Sequence, residues 1–358
     1  MDSPPSPRPQ APFGAAQRLQ RAWLSRGPLA RVLWPLSIVF GALTALRRSL
    51  YRIGWLQPRH VAAPVIIVGN LIAGGAGKTP TVLALVEMLR KRGYTPGIVS
   101  RGYGAQVDGV LQVTRETPAT ACGDEPLLLH LRGAAPVVIA RDRVAAAVHL
   151  LRRHPAVDVI VSDDGLQHLR LARSAQVLVF DDRGGGNGWL LPAGPLRERL
   201  PNAVPARTLV VYNAGAPSTR LAGTMARRAL AGCVGLSEWW RGESASLAAL
   251  TALRGRPLLA AAGLARPERF FAMLREHDLT IATLPLPDHF DYATLPWTPD
   301  TPDVIVTEKD AIKLDAARVG ATRVWVAPLD FTLGAAFDAA LLALLPPPGI
   351  SPDGNTTA

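Results

Sequence analysis

Cysteine is nearly missing from this 358-residue chain, which holds only Cys122 and Cys233. A disulfide-stapled fold is excluded, and two thiols are too few for a thiol-only zinc site, so the chemistry is expected in a reducing compartment. Lysine is scarce as well: Lys78, Lys91, Lys309 and Lys313 are the whole set, although Lys and Arg together number 39. Asp and Glu total 28, so the net charge is +11 and is carried almost wholly by arginine. That surplus favours an anionic partner, either nucleic acid, acidic lipid or a phosphorylated substrate. Abundant Arg and Ala also accompany a GC-rich genome, so one scarce lysine in a glycine loop is more informative than any one arginine. Aromatics make up 6% and do not interleave with a basic patch, which argues against a nucleic-acid module. What is abundant is core: hydrophobic residues are 48% and charged ones 19%, a folding composition for one large or two medium domains.

Residues 1–20, rich in Pro and Ser at their start, are expected to be disordered, and so is the tail over 346–358. Val32–Leu46 is a run of fifteen uncharged residues with Arg26 and Arg31 before it and Arg47, Arg48 and Arg52 after it. It falls short of the roughly 20 residues that span a bilayer, and no clear small-residue cleavage site marks it as a signal peptide. The basic flanks and Trp34 suit a helix lying in a membrane interface or inserting at a tilt. The alternative is a buried core helix. Residues 21–60 are therefore expected to form a membrane-associated helical segment.

From Pro64 the pattern becomes short apolar runs alternating with amphipathic stretches. Val65–Val68, Gly97–Ser100, Val137–Ala140, Val157–Ser162 and Val177–Phe180 read as strands, with helices over Thr79–Arg92, Glu125–Arg132 and Arg141–Arg153. Strands that are apolar throughout are buried on both faces, which implies a mostly parallel sheet flanked by helices. The second half repeats the theme with strands at Thr208–Tyr212, Pro257–Ala262, Val304–Thr307 and Arg323–Ala327 and a helix at Arg266–Glu276. The expected fold class is α/β, P-loop NTPase-like, in two lobes over 61–205 and 206–345. Residues 183–202, rich in Gly, Pro and Arg, are expected to be a functional loop.

The most specific local signal follows the first strand. Gly74-Gly75-Ala76-Gly77-Lys78-Thr79 joins a strand to a helix, the setting a phosphate-binding loop requires. Glycines let consecutive N–H groups turn inward around phosphate oxygens, and the following helix presents its N-terminus to the same anion. Lys78 can reach the β- and γ-phosphates, and the Thr79 hydroxyl can ligate Mg²⁺. The strict G-x-x-x-x-G-K-[ST] pattern fails, because Ile72 stands where its first glycine would be. The expected nucleotide-binding set is Leu71, Ile72, Ala73, Gly74, Gly75, Ala76, Gly77, Lys78 and Thr79.

A second strand ends in Asp163 and Asp164, where a phosphate-loop enzyme needs a carboxylate for its metal. Side chains alternate along a strand, so the two need not share a role. Arg101 and Tyr103 follow a strand at the sheet's carboxyl edge, where α/β ligands bind. Asp124 opens a helix and reads locally as an N-cap or a catalytic carboxylate. His168 lies beyond the Asp-Asp turn, Arg197 and Glu198 sit in the Gly-rich loop, and His289 follows Asp288. Thr307 and Asp310 have capping-box spacing. Asp310 is adjacent to Lys309, so the chain lacks the Lys-x-Asp spacing of a guanine-reading motif.

Taken in order, Gly69-Asn-x-x-x-Gly-Gly-x-Gly-Lys-Thr-Pro80, Arg101-Gly-Tyr-Gly104, Gly123-Asp-Glu-Pro126, Asp163-Asp-Gly-Leu-Gln-His168, Pro195-Leu-Arg-Glu198 and Glu308-Lys-Asp310, with the apolar segment before them, resemble the tetraacyldisaccharide 4'-kinase family over roughly residues 20–330. The resemblance implies two α/β lobes joined by a hinge, with a membrane-surface helix. It implies transfer of the ATP γ-phosphate to the 4'-hydroxyl of a tetraacylated glucosamine disaccharide 1-phosphate. It also implies Lys78, Asp124 and His289 as the catalytic set, Asp124 being the general base and His289 its orienting partner. By the same resemblance Thr79 would serve Mg²⁺, and Asp163 and Asp164 would organise metal and nucleotide. Read from their positions alone, Arg101 could meet an anionic substrate and Tyr103 could stack on a sugar, and His168, Arg197 and Glu198 are further candidate substrate contacts; a plain turn or loop role is the alternative for each. The implied partners are an acylated disaccharide phosphate lipid and the anionic cytoplasmic face of the bacterial inner membrane, with no nucleic acid and no obligate protein partner. A partitioning or metal-cluster-carrier ATPase would share the loop, but such proteins usually carry a lysine where this chain has Ala73.

Overall fold

The computed structural model describes residues 19, 22–102 and 109–349. The segments expected to be disordered fall mostly outside these, as does Tyr103. Residues 346–349 are ordered: the Pro346 carbonyl accepts a hydrogen bond from the Tyr94 hydroxyl at 2.7 Å.

Helix α1 (Pro28–Arg52) runs for 25 residues, longer than the uncharged run that nucleates it. By length and composition it is able to cross a membrane, whereas the uncharged run alone is too short. Pro28 opens it, since a first-turn residue needs no N–H, and the long stems of Arg47, Arg48 and Arg52 continue it beyond Leu46. Val32, Leu36, Val39, Leu43 and Leu46 recur at helical spacing and are all exposed, forming one apolar stripe. A different face is docked on the protein. There the Ser37 hydroxyl donates to the Leu190 carbonyl at 2.8 Å and accepts from the Ala193 N–H at 2.9 Å. Just before the helix, Trp23 Nε1 donates to the Pro192 carbonyl at 2.9 Å. A Cβ at Gly41 would lie 2.7 Å from the Leu190 side chain, so glycine permits the approach.

The larger sheet contains β1 (Val65–Gly69), β2 (Pro96–Ser100), β3 (Val110–Val113), β4 (Val137–Ala140), β5 (Val159–Asp163), β6 (Ala175–Asp181), β7 (Thr208–Asn213) and β8 (Thr224–Met225). Its order is β3-β4-β2-β5-β1-β6-β7-β8. Every pairing is parallel except β3 with β4. Alternate residues of β1 face two cores. Ile66 and Val68 pack with Val82 and Leu85 of α2 (Lys78–Lys91), and Val65 and Ile67 share a core with Ala146 and Leu150 of a helix on the opposite face. Each fully buried Val or Ile contributes about 1.5–3 kcal/mol, which is why this strand carries no polar residue.

The strand expected at Thr208–Tyr212 to open the second lobe runs over Thr208–Asn213 and instead pairs with β6 in the first sheet. An apolar strand carries no local mark of which sheet it joins. A ribbon of β9 (Arg227–Leu230) and β15 (Leu329–Thr332) follows. The second sheet comprises β10 (Val234–Gly235), β11 (Leu258–Ala262), β12 (Ile281–Pro285), β13 (Asp303–Val306) and β14 (Arg323–Val326), in the order β10-β14-β13-β11-β12. Its parallel strands β12 and β13 lead directly into the segments that carry His289 and Lys309. One apolar core, including Val82 and Leu85 from the first lobe and Val304 and Val306 from the second, runs between the two sheets.

Candidate active site

The glycine loop leaves β1 between β5 and β6, so the strand order places it beside Asp163, which ends β5 opposite Val68. Gly74 and Gly77 have φ of +91° and +96°, a region that strains other residues. A Cβ at Gly77 would also lie 2.1 Å from Asn213 Nδ2. The loop is held by its carbonyls. Asn70 Nδ2 donates to Gly74 at 3.0 Å, and the Arg183 guanidinium donates to Ala73 at 3.3 Å and Gly75 at 2.7 Å. Pro195 and Arg197 bracket it from the Gly-rich loop, accepting from the Ala73 N–H at 2.8 Å and donating a backbone N–H to the Leu71 carbonyl at 2.7 Å.

Lys78 is the first residue of α2, and its buried side chain places Nζ 3.3 Å from Asn70 Oδ1 and 3.7 Å from Asp164 Oδ1. Asp164 has φ of +46°, a conformation that Asp tolerates better than most residues, and it accepts from Arg197 at 3.0 Å. Asp163 turns inward. Its Oδ2 accepts from the Ser100 hydroxyl at 3.4 Å, while the buried Oδ1 has no hydrogen-bond partner. Burial, with the Glu125 charge adding to it, pushes the Asp163 carboxyl up to about 7.

Across from this corner, Gly123 rather than Asp124 is the N-cap of helix α3 (Asp124–Gly133). Asp124 is the first helical residue, and its carboxylate is free to turn out of the helix. Its Oδ2 meets His289 Nδ1 at 3.0 Å and Lys313 Nζ at 3.1 Å. Burial works against the charge on Asp124, but the His289 hydrogen bond and the Lys313 ammonium outweigh it and hold the carboxyl below its ordinary value. The same bond holds the imidazole above its ordinary range, with burial opposing. His289 itself sits at φ of +61°. Next along the helix, Glu125 Oε1 accepts from Lys309 Nζ at 2.7 Å.

A histidine whose pKa is raised on folding contributes stability that is complete below its unfolded value of ~6.5 and lost as pH rises through the folded value. His289→Gln is therefore expected to lower Tm most near pH ~6 and less near pH ~9. Thermal melts across that range check this, and a deficit that grows with pH would rule out a charged imidazole.

These groups surround a cavity of about 750 Å³, which Ala73, Gly74, Gly75, Arg101, Arg197 and Glu198 also line. The docked face of α1 closes it with Phe40, Thr44, Arg47 and Arg48, and Arg48 pairs with Glu198. A second cavity, of about 270 Å³, lies along the loop on the side of Ala76, Gly77 and Thr79. Leu71 and Ile72 are buried and line neither cavity; they tie the loop to the Gly-rich segment. His168 also lines neither, because its Nε2 turns to Asp142 at 3.5 Å. Thr307 does not form a capping box. Its hydroxyl donates to Asp310 at 2.6 Å, and Asp310 accepts the Gly263 N–H at 3.0 Å.

Sequence reasoning missed Asn70, Glu125, Lys309 and Lys313 as site residues. The scarcity of lysine was the available signal: three of the chain's four lysines lie here, and the fourth, Lys91, pairs with Glu87 on an exposed helix face.

A lysine-bearing glycine loop on a parallel sheet, an acidic corner beside it and a carboxylate–imidazole pair facing both define a phosphate-loop phosphotransferase. The family model described as Tetraacyldisaccharide-1-P 4'-kinase matches residues 29–346, and the chain belongs to that family. It is 56% identical over 351 residues to the tetraacyldisaccharide 4'-kinase of Methylibium petroleiphilum, covering 97% of each chain. It is 53% identical over 336 residues to that of Leptothrix cholodnii, covering 92% of this chain and 96% of the other. Among solved structures, LpxK from Aquifex aeolicus in complex with ATP matches with a TM-score of 0.73 and 26% identity, over 89% of this chain and 100% of the other.

Proposed function

We propose that the chain transfers the γ-phosphate of ATP to the 4'-hydroxyl of a tetraacylated glucosamine disaccharide 1-phosphate, at the cytoplasmic face of the bacterial inner membrane. The observation that carries this reading is one cavity walled by the phosphate loop, by the Asp124–His289 pair and by the apolar helix α1. A soluble acceptor would need no such wall. An acylated acceptor keeps its chains in lipid, because exposing them costs about 0.8 kcal/mol per CH₂.

In this reading Lys78 leaves Asp164 for the β- and γ-phosphates. Asp124 takes the proton of the 4'-hydroxyl, a poor nucleophile at neutral pH, as the oxygen attacks phosphorus. His289 fixes the carboxylate's orientation, and Lys313 keeps it ionised. Arg47, Arg48, Arg101 and Arg197 give the cavity a cationic wall suited to the acceptor's own phosphate. Thr79, Asp163 and Asp164 fit a Mg²⁺ ion: all are hard oxygen donors, and the buried, unpartnered Asp163 Oδ1 is an atom a cation would satisfy. When bound, that ion would neutralise charge on the transferring group.

The test is transfer of label from γ-labelled ATP to tetraacyldisaccharide 1-phosphate in mixed micelles, with Lys78→Ala as control. Labelled lipid is expected from the unmodified chain alone. ATP hydrolysis without labelled lipid would overturn the reading in favour of a nucleotide-switch ATPase.

A further inference from the structure

We infer that Lys309 is a further catalytic residue, an ammonium from the second lobe that contacts the transferring phosphoryl group opposite Lys78. The inference rests on the phosphotransfer reading above.

Lys309 lies in the short helix Glu308–Ala311 directly after β13. Its neighbours in the chain are pinned. Glu308 is buried and accepts from Arg132 at 2.5 Å and from Trp239 Nε1 at 3.1 Å. Asp310 is fully buried between Thr307 and Gly263. The backbone of Lys309 is thus fixed from both sides, while 26% of its side chain stays open. That opening faces a particular place. Gly75, Asp288 and Lys309 are the residues shared by the two cavities, one reaching Gly77 and Thr79 and the other reaching Asp124 and His289. Lys78 lines the larger cavity together with Asp124 and His289, so a γ-phosphate reached by Lys78 and by Gly75 of the loop would lie against this junction, within the same space as Lys309.

In the structure Lys309 is neutralised by Glu125 at 2.7 Å. Burial disfavours charge on both groups, and each nonetheless holds the other ionised. A lysine stem is flexible, and a phosphoryl group with charge spread over three equatorial oxygens is a stronger anion than one carboxylate, so the ammonium can exchange partners when the donor binds. The bond from the γ-phosphorus to the ADP oxygen breaks, the bond to the 4'-oxygen forms, and the proton passes to Asp124. Lys309 keeps its own proton throughout. Lys78 approaches from the phosphate loop and Lys309 from the facing lobe, so full charge neutralisation requires both lobes together. That requirement disfavours hydrolysis in an open site.

The experiment compares Lys309→Met and Lys309→Arg with the unmodified chain. It reads kcat for lipid phosphorylation and affinity for ADP and for a β,γ-imido analogue of ATP. Lys309→Met is expected to lower kcat by about 10²–10³-fold, to weaken binding of the imido analogue and to leave ADP binding unchanged; Lys309→Arg is expected to regain part of each loss. An equal loss of affinity for both nucleotides, or an unchanged kcat, would overturn the proposal. The Glu125→Gln/Lys309→Met double variant removes the uncompensated carboxylate. Return of kcat to the unmodified level in that double variant would reduce Lys309 to a structural counter-ion and also overturn it. Failure of the unmodified chain to label lipid would instead defeat the functional reading, and the ADP-against-analogue comparison distinguishes that case.

Discussion

Asp124→Asn is expected to lower kcat for lipid phosphorylation by about 10²–10⁴-fold, with ADP affinity near that of the unmodified chain. The substitution preserves shape, and the amide oxygen can still accept from His289 or Lys313, so the local packing survives. On the proposed reading, what disappears is the carboxylate that would take the hydroxyl proton, which the His289 hydrogen bond and the Lys313 ammonium hold below its ordinary pKa. Because Asp124 stands across the cavity from the glycine loop, with His289 and Lys313 rather than Lys78 as its partners, ADP binding should not register the change. Steady-state kinetics with an ADP titration check both parts. Turnover retained within a few-fold would remove Asp124 as the base.

Lys78→Met is expected to act differently, lowering kcat/KM by about 10²–10³-fold and weakening ATP binding as well. Lys78 is held in place before any ligand arrives, by Asn70 at 3.3 Å and by Asp164 at 3.7 Å. It also stands at the N-terminus of α2, where backbone N–H groups already favour an anion. Removing the ammonium leaves Asp164 paired with Arg197 alone, so the loop should keep its shape while losing its charge. Arginine is not expected to substitute, because a planar guanidinium does not fit a point-charge site enclosed by backbone. Single-turnover kinetics with nucleotide titration separates this variant from Asp124→Asn: an unaltered ATP affinity would mean that Lys78 does not touch the donor phosphates.

The glycine-loop corner was legible in the chain because it is local. Strand, glycines, Lys78 and helix follow one another without interruption, and Asp163 needs only one strand crossing to join them. The facing corner was not legible, because its pairs join distant residues. Lys309 and Glu125 are 184 positions apart, and His289 and Asp124 are 165 apart. Nothing local to Glu125 or Lys313 distinguishes it from a solvated charge on a helix, and only the family resemblance linked Asp124 to His289. His168 shows the opposite case: a histidine beside an acidic turn reads as functional from the chain alone, and in the structure its Nε2 lies 3.5 Å from Asp142. The strand expected over Thr208–Tyr212 exists but joins the first sheet rather than the second lobe, since partner choice depends on neighbours that a short, mostly apolar stretch does not encode.

Helix α1 presents its apolar stripe to the outside, while Ser37 fixes its other face to the segment that also carries Arg197 and Glu198. On the proposed reading, the helix is therefore a depth gauge as much as an anchor. The stripe sets how deep the helix lies in the bilayer, and the Ser37 contacts set how far the phosphate loop stands above it. The headgroup must then meet the cavity at one height, so the span between lipid surface and hydroxyl becomes a selection rule. A disaccharide carried too high or too low by its chains would be refused without any contact to the sugar.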